Sequence, residues 1–337
     1  MTRVFITGTA GFIGFHLAKL LLDEGHVVAG FDGMTDYYDP RLKERRHAQL
    51  MQHEGFSCTE AMLQDFDTLQ EAAVSFKPDV IVHLAAQAGV RYSLENPRDY
   101  IETNVTGTFN VMECAREIGV QHLLMASTSS VYGANTHMPF GELQKADTPL
   151  TIYAASKKAN EAMAHSYAHL HDLPTTMFRF FTVYGPWGRP DMALFKFTKG
   201  IIEGTPIDIY NNGDMSRDFT FVSDLVRGIY LLMDAAPKRP DDDTRPPEWD
   251  TLSPVAPYRI VNIGNSSAVK LLDFIEAIED EIGQKAHRNY LPMQTGDVPA
   301  TFADATQLVE LTGYKPKTEY REGIRKFVEW YRDYYQV

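Results

Sequence analysis

The sequence predicts an α/β fold: a doubly wound parallel sheet with helices on both faces, followed by a smaller α/β domain. Short runs of apolar and β-branched residues alternate with longer amphipathic segments, which favours parallel strands joined by helices. The strand candidates are residues 4–7, 26–31, 79–85, 122–126 and 175–180, and the helix candidates include 13–24, 97–119 and 153–171. After residue 181 the segments become shorter and richer in Gly, Pro and Asp, which indicates the second domain.

The domain boundaries follow from this change of rhythm. We expect residues 1–181 to form the larger domain, with parts of 222–263 returning to it, and 182–221 with 264–337 to form the smaller one. Residues 237–258 contain six prolines and an acidic cluster, so we expect an exposed loop without a packed core of its own.

Composition narrows the class of protein. The 337 residues carry 32 basic and 45 acidic side chains, a net charge of −13, which disfavours a nucleic-acid partner. The two cysteines, Cys58 and Cys114, form no CxxC motif and indicate a reducing compartment. The chain enters its first strand almost at once and has no apolar run of about 20 residues. We therefore expect a soluble, cytoplasmic protein without a signal peptide or membrane span.

A glycine-rich turn follows the first predicted strand. In GTAGFIG, Gly8, Gly11 and Gly14 flank Phe12 and Ile13 between a strand and a helix. Glycines here let the turn close, let the backbone approach a pyrophosphate and let the helix pack on the sheet. The spacing is GxxGxxG, so the motif predicts a Rossmann-type dinucleotide site only in combination with other features.

Polar residues at later strand ends complete the predicted dinucleotide site. Asp32 ends the second strand, where a carboxylate can bind the adenosine ribose and repel a 2′-phosphate, which favours NAD over NADP; the alternative is a turn residue. Asp65, with Phe66 beside it, is a candidate for the adenine amino group, although a helix N-cap is the alternative and Asp67 is the better cap candidate. Further cofactor candidates follow the strand at 79–85: Leu84, Ala85, Ala86 and Gln87.

The segment YAASK places Tyr153 and Lys157 one turn apart on a predicted helix. A phenol has a pKa near about 10, too high for a base at neutral pH. A neighbouring ammonium, together with a cationic nicotinamide, favours the phenolate and lowers that pKa. The pattern predicts catalysis only because it follows a hydroxyl-rich strand end, STSS, in a dinucleotide-binding sequence.

The chain resembles the extended short-chain dehydrogenase/reductase family in six segments: GTAGFIG, HLAAQAGVR, STSSVYG, YAASK, TVYGPWGRPDMA and SRDFTFVSD. Within that family it is most similar to nucleotide-sugar 4-epimerases, and among these to the UDP-glucuronate 4-epimerases. The resemblance runs from the first strand to about Asp304.

The resemblance implies an isomerase with a catalytic trio of Thr128, Tyr153 and Lys157. Thr128 would hold the sugar 4-oxygen, Tyr153 would be the base, and Lys157 would bind the nicotinamide ribose and tune Tyr153. Hydride would pass from C-4 to tightly bound NAD and return to the opposite face of a transient 4-keto sugar. NAD would thus be regenerated in each turnover.

Two departures from related enzymes bear on the substrate. Decarboxylases and dehydratases of the family usually carry an acidic residue before VYG, where this chain has Ser130; galactose epimerases usually show Asn where this chain has Thr182. We expect Ser129, Ser130 and Thr182 to donate to a C-6 carboxylate and to hold it out of alignment for decarboxylation of the β-keto acid. Alternatively, Ser129 and Ser130 cap backbone groups at the strand end.

The resemblance also implies residues for the UDP end of the substrate. Arg217 matches the arginine that clamps the diphosphate, and Asp297 matches the acceptor from uridine ribose. Arg189 is a candidate for the sugar or phosphate, with a surface ion pair as the alternative. Arg91 is a further candidate near the sugar.

The remaining expectations concern partners and alternatives. His165 and His169 share a helix face but lack a third ligand at zincin spacing, so no metal site is expected. The family forms a homodimer through a four-helix interface, and we expect the same around 97–119 and 153–171. The alternative functions are a 4-epimerase for neutral UDP-hexoses, a UDP-glucuronate decarboxylase, which Ser130 disfavours, and an NAD-sensing regulator.

Overall fold

The computed structural model describes residues 1–241 and 246–337. The strands are, in chain order, β1 (Arg3–Thr7), β2 (Val27–Asp32), β3 (Phe56–Glu60), β4 (Val80–His83), β5 (His122–Thr128), β6 (Thr175–Phe180), β7 (Thr182–Tyr184), β8 (Ile207–Ile209), β9 (Ser216–Phe221), β10 (Tyr258–Ile263), β11 (Ala268–Lys270) and β12 (Arg288–Tyr290).

The α-helices are α1 (Phe12–Asp23), α2 (Pro40–Leu50), α3 (Phe66–Phe76), α4 (Tyr92–Glu95), α5 (Pro97–Tyr100), α6 (Thr108–Ile118), α7 (Ile152–His171), α8 (Ala193–Glu203), α9 (Val222–Leu232), α10 (Leu271–Ile282), α11 (Thr306–Thr312) and α12 (Tyr320–Tyr335). Among the helices of the described residues, none has both the length and the apolar character needed to cross a membrane.

A seven-stranded parallel sheet forms the larger layer, in the order β10-β6-β5-β4-β1-β2-β3. Side chains alternate between its faces: Val4 and Ile6 pack in the core beneath α1 and α9, whereas Phe5 packs in the core beneath α3, α6 and α7. Because both faces are covered, the central strands are largely apolar, and the predicted doubly wound parallel sheet is confirmed. The strand order reverses between β1 and β4, which opens a crevice at the carboxyl ends of these strands.

A smaller α/β layer follows β6. It contains a three-stranded sheet, β11-β9-β7, and a two-stranded sheet, β12-β8. Helices α8, α10 and α12 enclose a separate core here, which includes Phe274 and Phe327. Within 222–263, α9 packs on α1 and β10 pairs with β6 in the large sheet. The assignment of each domain to a ligand stays a prediction.

The prediction of one continuous helix over residues 97–119 is wrong for the middle of that range. Pro97 begins the short α5, residues 101–107 form a π-helical segment, and α6 begins only at Thr108. Within this segment Asn104 is fully buried, and its amide donates to the Gln87 carbonyl at 3.0 Å and to Ser156 Oγ at 3.1 Å. A regular helical periodicity gives no signal for such a local widening, which often marks a functional site.

The predicted loop 237–258 is exposed only in part. Its residues 242–245 lie outside the described residues. Ala256 is buried in the large core, and Tyr258 begins β10. The Asp250 carboxylate accepts from Nε and Nη2 of Arg259 at 2.7 and 2.9 Å, which ties the end of the loop to that strand. The prediction of full exposure is therefore wrong for the end of the loop.

Candidate active site

A cavity of about 1010 Å³ runs along the carboxyl edge of the large sheet and continues between that sheet and the smaller layer. Its walls include the turn after β1, the ends of β4 and β5, the start of α7 and the loop before α8. Most of the predicted site residues line it: Gly8, Gly11, Phe12, Ile13, Gly14, Asp32, Leu84, Ala85, Ala86, Gln87, Arg91, Thr128, Ser129, Ser130, Tyr153, Lys157, Thr182, Arg189, Arg217 and Asp297.

The glycine turn is closed in the way the spacing predicts. Gly8 has a φ of +86°, and a Cβ there would lie 2.8 Å from the Ala85 nitrogen. A Cβ on Gly14 would lie 2.0 Å from the Gly8 carbonyl oxygen, so only glycine lets α1 start this close to β1. The first turn of α1 carries no acidic residue, which leaves its N-terminus open to an anion.

Asp32 is held by the backbone at the end of β2. One carboxylate oxygen accepts from the Ala10 amide and the other from the Met34 amide, both at 2.9 Å. The hydrogen bond from the Met34 amide corresponds to the alternative role of Asp32 as a turn residue. A carboxylate has about four acceptor sites, so the ribose role stays open to it.

Arg46 stabilises this turn by hydrogen bonds, and the sequence does not predict this role. It lies fully buried on α2, and Nη1 donates to the Ala10 carbonyl at 2.8 Å and to the Tyr38 hydroxyl at 2.7 Å. Nη2 donates to the Trp187 carbonyl at 2.5 Å. Within PRLKERRHAQL, nothing distinguishes this arginine from its exposed neighbours, because only the tertiary contacts bury it.

Asp65 and Phe66 lie away from the cavity. Asp65 is exposed and is the N-cap of α3, where it accepts from the Thr68 amide at 3.2 Å and from the Thr68 hydroxyl at 2.7 Å. The preference for Asp67 as the cap is therefore wrong. Met62 and Leu63 line this wall instead, and the adenine role of Asp65 and Phe66 stays a prediction that nothing in the cavity lining supports.

The backbone at the end of β4 is fixed by buried side chains. Thr7 Oγ1 accepts from the amides of Leu84 and Ala85, both at 3.2 Å. The Asn104 amide group pairs with both backbone groups of Gln87, at 2.8 and 3.0 Å. This segment is therefore a rigid wall of the dinucleotide half of the cavity.

The predicted catalytic trio converges on the cavity. Thr128 ends β5, while Tyr153 and Lys157 occupy the first two turns of α7, whose N-cap is Thr151. Thr128 Oγ1 accepts from the Ser130 amide at 3.2 Å, which fixes the hydroxyl at the mouth of the following turn. The Tyr153 ring packs against Tyr100, with centroids 6.0 Å apart.

Burial shifts the pKa values of two members of the trio, Tyr153 and Lys157. It raises the pKa of Tyr153, although a hydrogen bond with Thr128 and the charge of Arg189 act in the opposite direction. Burial lowers the pKa of Lys157 to about 8, and Glu161 opposes that shift. In the protein alone burial thus outweighs the lowering of the Tyr153 pKa expected from the sequence.

The hydroxyl residues of the STSS segment, 127–130, have two different roles. Ser127 points inward, and its Oγ donates to Glu161 at 2.7 Å. Ser129 and Ser130 form a 3₁₀ turn at the cavity, and within the described residues neither hydroxyl makes a hydrogen bond to the protein. Thr128, and not these serines, caps the turn. Their hydroxyls, with that of Thr182, are therefore available to a ligand.

Arg217 faces the cavity without a carboxylate partner among the described residues. Its guanidinium donates to three backbone carbonyls, those of Ser216, Val298 and Pro299, at 2.8–3.1 Å. Burial lowers its pKa, and Asp297 opposes this effect. A half-buried cation with only neutral partners is suited to a diphosphate.

Arg189 and Arg91 each form an ion pair. Arg189 binds both oxygens of Asp191, at 3.0 and 2.5 Å, and although burial opposes its charge, this pairing raises its pKa. Arg91 lies 3.2 Å from Asp297, with its guanidinium 4.4 Å from the ring centroid of Tyr210. Arg91 therefore lies beside the residue expected at the uridine ribose, and its predicted place near the sugar stays a prediction.

The histidines of α7 serve the fold. His165 Nε2 bonds to Ser253 Oγ and His169 Nδ1 to the Val255 carbonyl, both at 2.8 Å. Across residues 1–241 and 246–337, no three His, Cys, Asp or Glu side chains cluster to hold a metal ion.

Comparison with known proteins identifies the family. The model of the NAD dependent epimerase/dehydratase family matches residues 4–244. A probable UDP-glucuronate 4-epimerase of Rhizobium meliloti (strain 1021) is 57% identical over 99% of this chain and 98% of its own length. UDP-glucuronate 4-epimerase 4 of Arabidopsis thaliana is 42% identical over 98% of this chain and 76% of its own.

A solved structure shows the same architecture. UDP-glucuronic acid 4-epimerase from Bacillus cereus, in complex with UDP-glucuronic acid and NAD, superposes with a TM-score of 0.87 at 29% identity. The match covers 99% of this chain and 100% of that one. The chain therefore belongs to the NAD dependent epimerase/dehydratase family.

Proposed function

We propose that the chain is an isomerase that converts UDP-glucuronate to UDP-galacturonate by NAD-dependent epimerisation at C-4. The observation that carries this proposal is the convergence of Thr128, Tyr153 and Lys157 with the unpartnered hydroxyls of Ser129 and Ser130 in one cavity. Full-length relatives that are named UDP-glucuronate 4-epimerases support it.

The residues of the dinucleotide half fit NAD. The cradle at Gly8 and Gly14 has no room for a Cβ, and the open N-terminus of α1 suits a pyrophosphate. Asp32 would hold the adenosine ribose, and Lys157 the nicotinamide ribose. When bound, NAD would supply reversible hydride transfer at C-4, so no external oxidant would be consumed.

The protein's own part of the chemistry is proton transfer and positioning. Tyr153 removes the proton of the 4-hydroxyl and later returns one to the 4-oxygen, while Thr128 holds that oxygen by a hydrogen bond. Lys157, when protonated, stabilises the developing phenolate.

The substrate half is specific for an anionic sugar nucleotide. Arg217 would bind the diphosphate and Asp297 the uridine ribose. Ser129, Ser130 and Thr182 would donate to the C-6 carboxylate. They are neutral, so they do not repel that carboxylate, and by holding it out of alignment with the 4-ketone they would favour epimerisation over decarboxylation.

Proton NMR of the purified protein with UDP-glucuronate, without added cofactor, tests the proposal. We expect the anomeric signal of a galacturonate to grow while the carboxylate is kept. A UDP-pentose product would replace the proposal by a decarboxylase. No product from UDP-glucuronate, with turnover of UDP-glucose, would replace it by an epimerase for neutral hexoses.

We propose further that residues 1–181 with parts of 222–263 bind NAD, that 182–221 and 264–337 bind the UDP-sugar, and that two copies form a cytoplasmic homodimer. The four-helix interface would use α6 and α7 of each copy. Large apolar side chains are exposed on these helices, namely Phe109 on α6 and Ile152 and Leu170 on α7, and Ile101 is exposed in the π-helical segment just before α6. Light scattering tests the interface: Phe109→Asp should give monomers, whereas Leu143→Asp, in an exposed loop, should leave the dimer intact.

A further inference from the structure

Glu161 is a buried carboxylate behind the wall of the active site. It lies on α7 one turn beyond Lys157 and two turns beyond Tyr153, so the three residues share a helix face. Its side chain is only 2% exposed, and it does not line the cavity, whereas Lys157 and Tyr153 do. None of the roles proposed above includes it.

Three side chains fix this carboxylate. Arg179 donates from Nε and Nη2 to its two oxygens, both at 2.9 Å, and Ser127 Oγ donates at 2.7 Å. Lys158 adds a contact at 3.1 Å. Although burial alone would raise the pKa of Glu161, Arg179, Lys158 and Ser127 hold it below its usual range. The carboxylate is therefore ionised at neutral pH.

These contacts connect the two elements that carry the catalytic trio. Ser127 and Arg179 lie opposite each other on β5 and β6, and Ser127 immediately precedes Thr128. The Arg179 guanidinium also lies 4.7 Å from the ring centroid of Tyr132, in the turn that follows Thr128. Glu161 thus joins the helix that carries Tyr153 and Lys157 to the strand end that carries Thr128.

The charge of Glu161 also acts on Lys157. Lys157 is buried, its pKa is lowered to about 8, and Glu161 is the charged group that opposes this shift. Two further titratable groups are near it: Tyr153, one turn earlier on α7, and His83, on which the charge of Lys157 acts. His83 stays neutral, because burial and the nearby Lys157 lower its pKa to about 3. Among these groups only Glu161 supplies a negative charge at neutral pH.

We propose that Glu161 is a positioning residue that holds α7 against the end of β5 and keeps the Lys157 side chain protonated at neutral pH. Its contribution to turnover rests on the proposed function, but its effect on Lys157 does not. Glu161 would thus act on the reaction indirectly, through the position of Thr128 and the charge of Lys157.

The direct test is the titration of Lys157 by NMR in protein labelled with ¹³C at lysine Cε, with the signal assigned through Lys157→Met. We expect a midpoint near pH 8 in the native chain. Glu161→Gln keeps the shape and removes the charge, so the midpoint should fall by about one to two pH units, the usual effect of one close charge. Glu161→Asp, which keeps the charge, should restore most of the shift.

A second variant separates charge from structural support. Glu161→Gln alone leaves the Arg179 guanidinium buried without its partner, which can prevent folding. The double variant Glu161→Gln/Arg179→Met removes both charges and leaves the net charge unchanged. Because Arg179 is not among the charges that shift Lys157, the midpoint should still fall in the double variant. A purely structural role would leave it near pH 8.

The kinetic readout follows the same logic. With UDP-glucuronate, the alkaline limb of the kcat profile should move to lower pH in Glu161→Gln, in step with the NMR midpoint. Ser127→Ala should lower kcat and leave that midpoint unchanged. An unchanged Lys157 midpoint in a folded Glu161→Gln or double variant would overturn the proposal. Absence of any turnover by the native chain would instead refute the proposed function, and the titration would remain valid.

Discussion

Replacing Ser129 and Ser130 by alanine tests how the cavity selects its sugar. Both hydroxyls lie at the cavity and, within the described residues, have no hydrogen-bond partner in the protein. Their removal should therefore cost little stability. If each donates to the C-6 carboxylate, each loss removes about 1.5–3 kcal/mol, the usual contribution of a hydrogen bond to a charged group. That corresponds to a fall in kcat/KM of about 10- to 150-fold per serine.

The assay compares a charged and a neutral substrate. We expect kcat/KM to fall for UDP-glucuronate and to stay nearly constant for UDP-glucose, which lacks the carboxylate. We also expect a UDP-pentose to form beside the epimer, because a less restrained 4-ketouronate can align its carboxylate for loss of carbon dioxide. Ser57→Ala, at an exposed strand position, is the matched control. Equal losses for both sugars, or no loss for UDP-glucuronate, would refute this reasoning.

Three further predictions concern chemistry, binding and stability. Tyr153→Phe removes the proposed base, so kcat should fall by about 10²- to 10⁴-fold, with little change in the melting temperature or in bound NAD; a retained kcat would assign the proton transfer to another group. Arg217→Met removes a cation that has no carboxylate partner among the described residues, so KM for the UDP-sugar should rise more than kcat falls in steady-state kinetics; a larger fall in kcat than rise in KM would contradict a binding role. Burial raises the pKa of Glu142 to about 7, while a hydrogen bond from the Asn262 amide opposes this shift. The folded state therefore holds this proton more tightly than the unfolded chain, and the resulting stability is present below about pH 4.5 and is lost as the pH rises to 7. Glu142→Gln should flatten that part of the pH dependence of unfolding in urea, and an unaltered slope would contradict the assignment.

Much of the fold could be predicted because its signals are local. Apolar strands such as 122–126 favour burial between two layers of helices, and the glycines at 8, 11 and 14 fit a tight turn between a strand and a helix. The spacing of Tyr153 and Lys157 fixes their common helix face. These features do not depend on distant parts of the chain.

The predictions that failed depended on distant contacts. The π-helical segment at 101–107 surrounds Asn104, whose partner Gln87 comes from another strand end. The sequence favours Asp67 over Asp65 as the cap, and only the residue at which α3 begins, Phe66, shows that Asp65 is the cap. Some hydrogen bonds join elements that are far apart in sequence, namely those of Arg46 and those among Glu161, Ser127 and Arg179. No local pattern indicates them.

One measurement tests the central claim most directly, namely that a hydride leaves C-4 and returns to it within the cavity. UDP-glucuronate deuterated at C-4 is converted in ordinary water, and the product is examined by NMR and mass spectrometry. The account predicts UDP-galacturonate that keeps both the deuterium at C-4 and the carboxylate. Loss of the deuterium to solvent, or its appearance in a UDP-pentose, would contradict it.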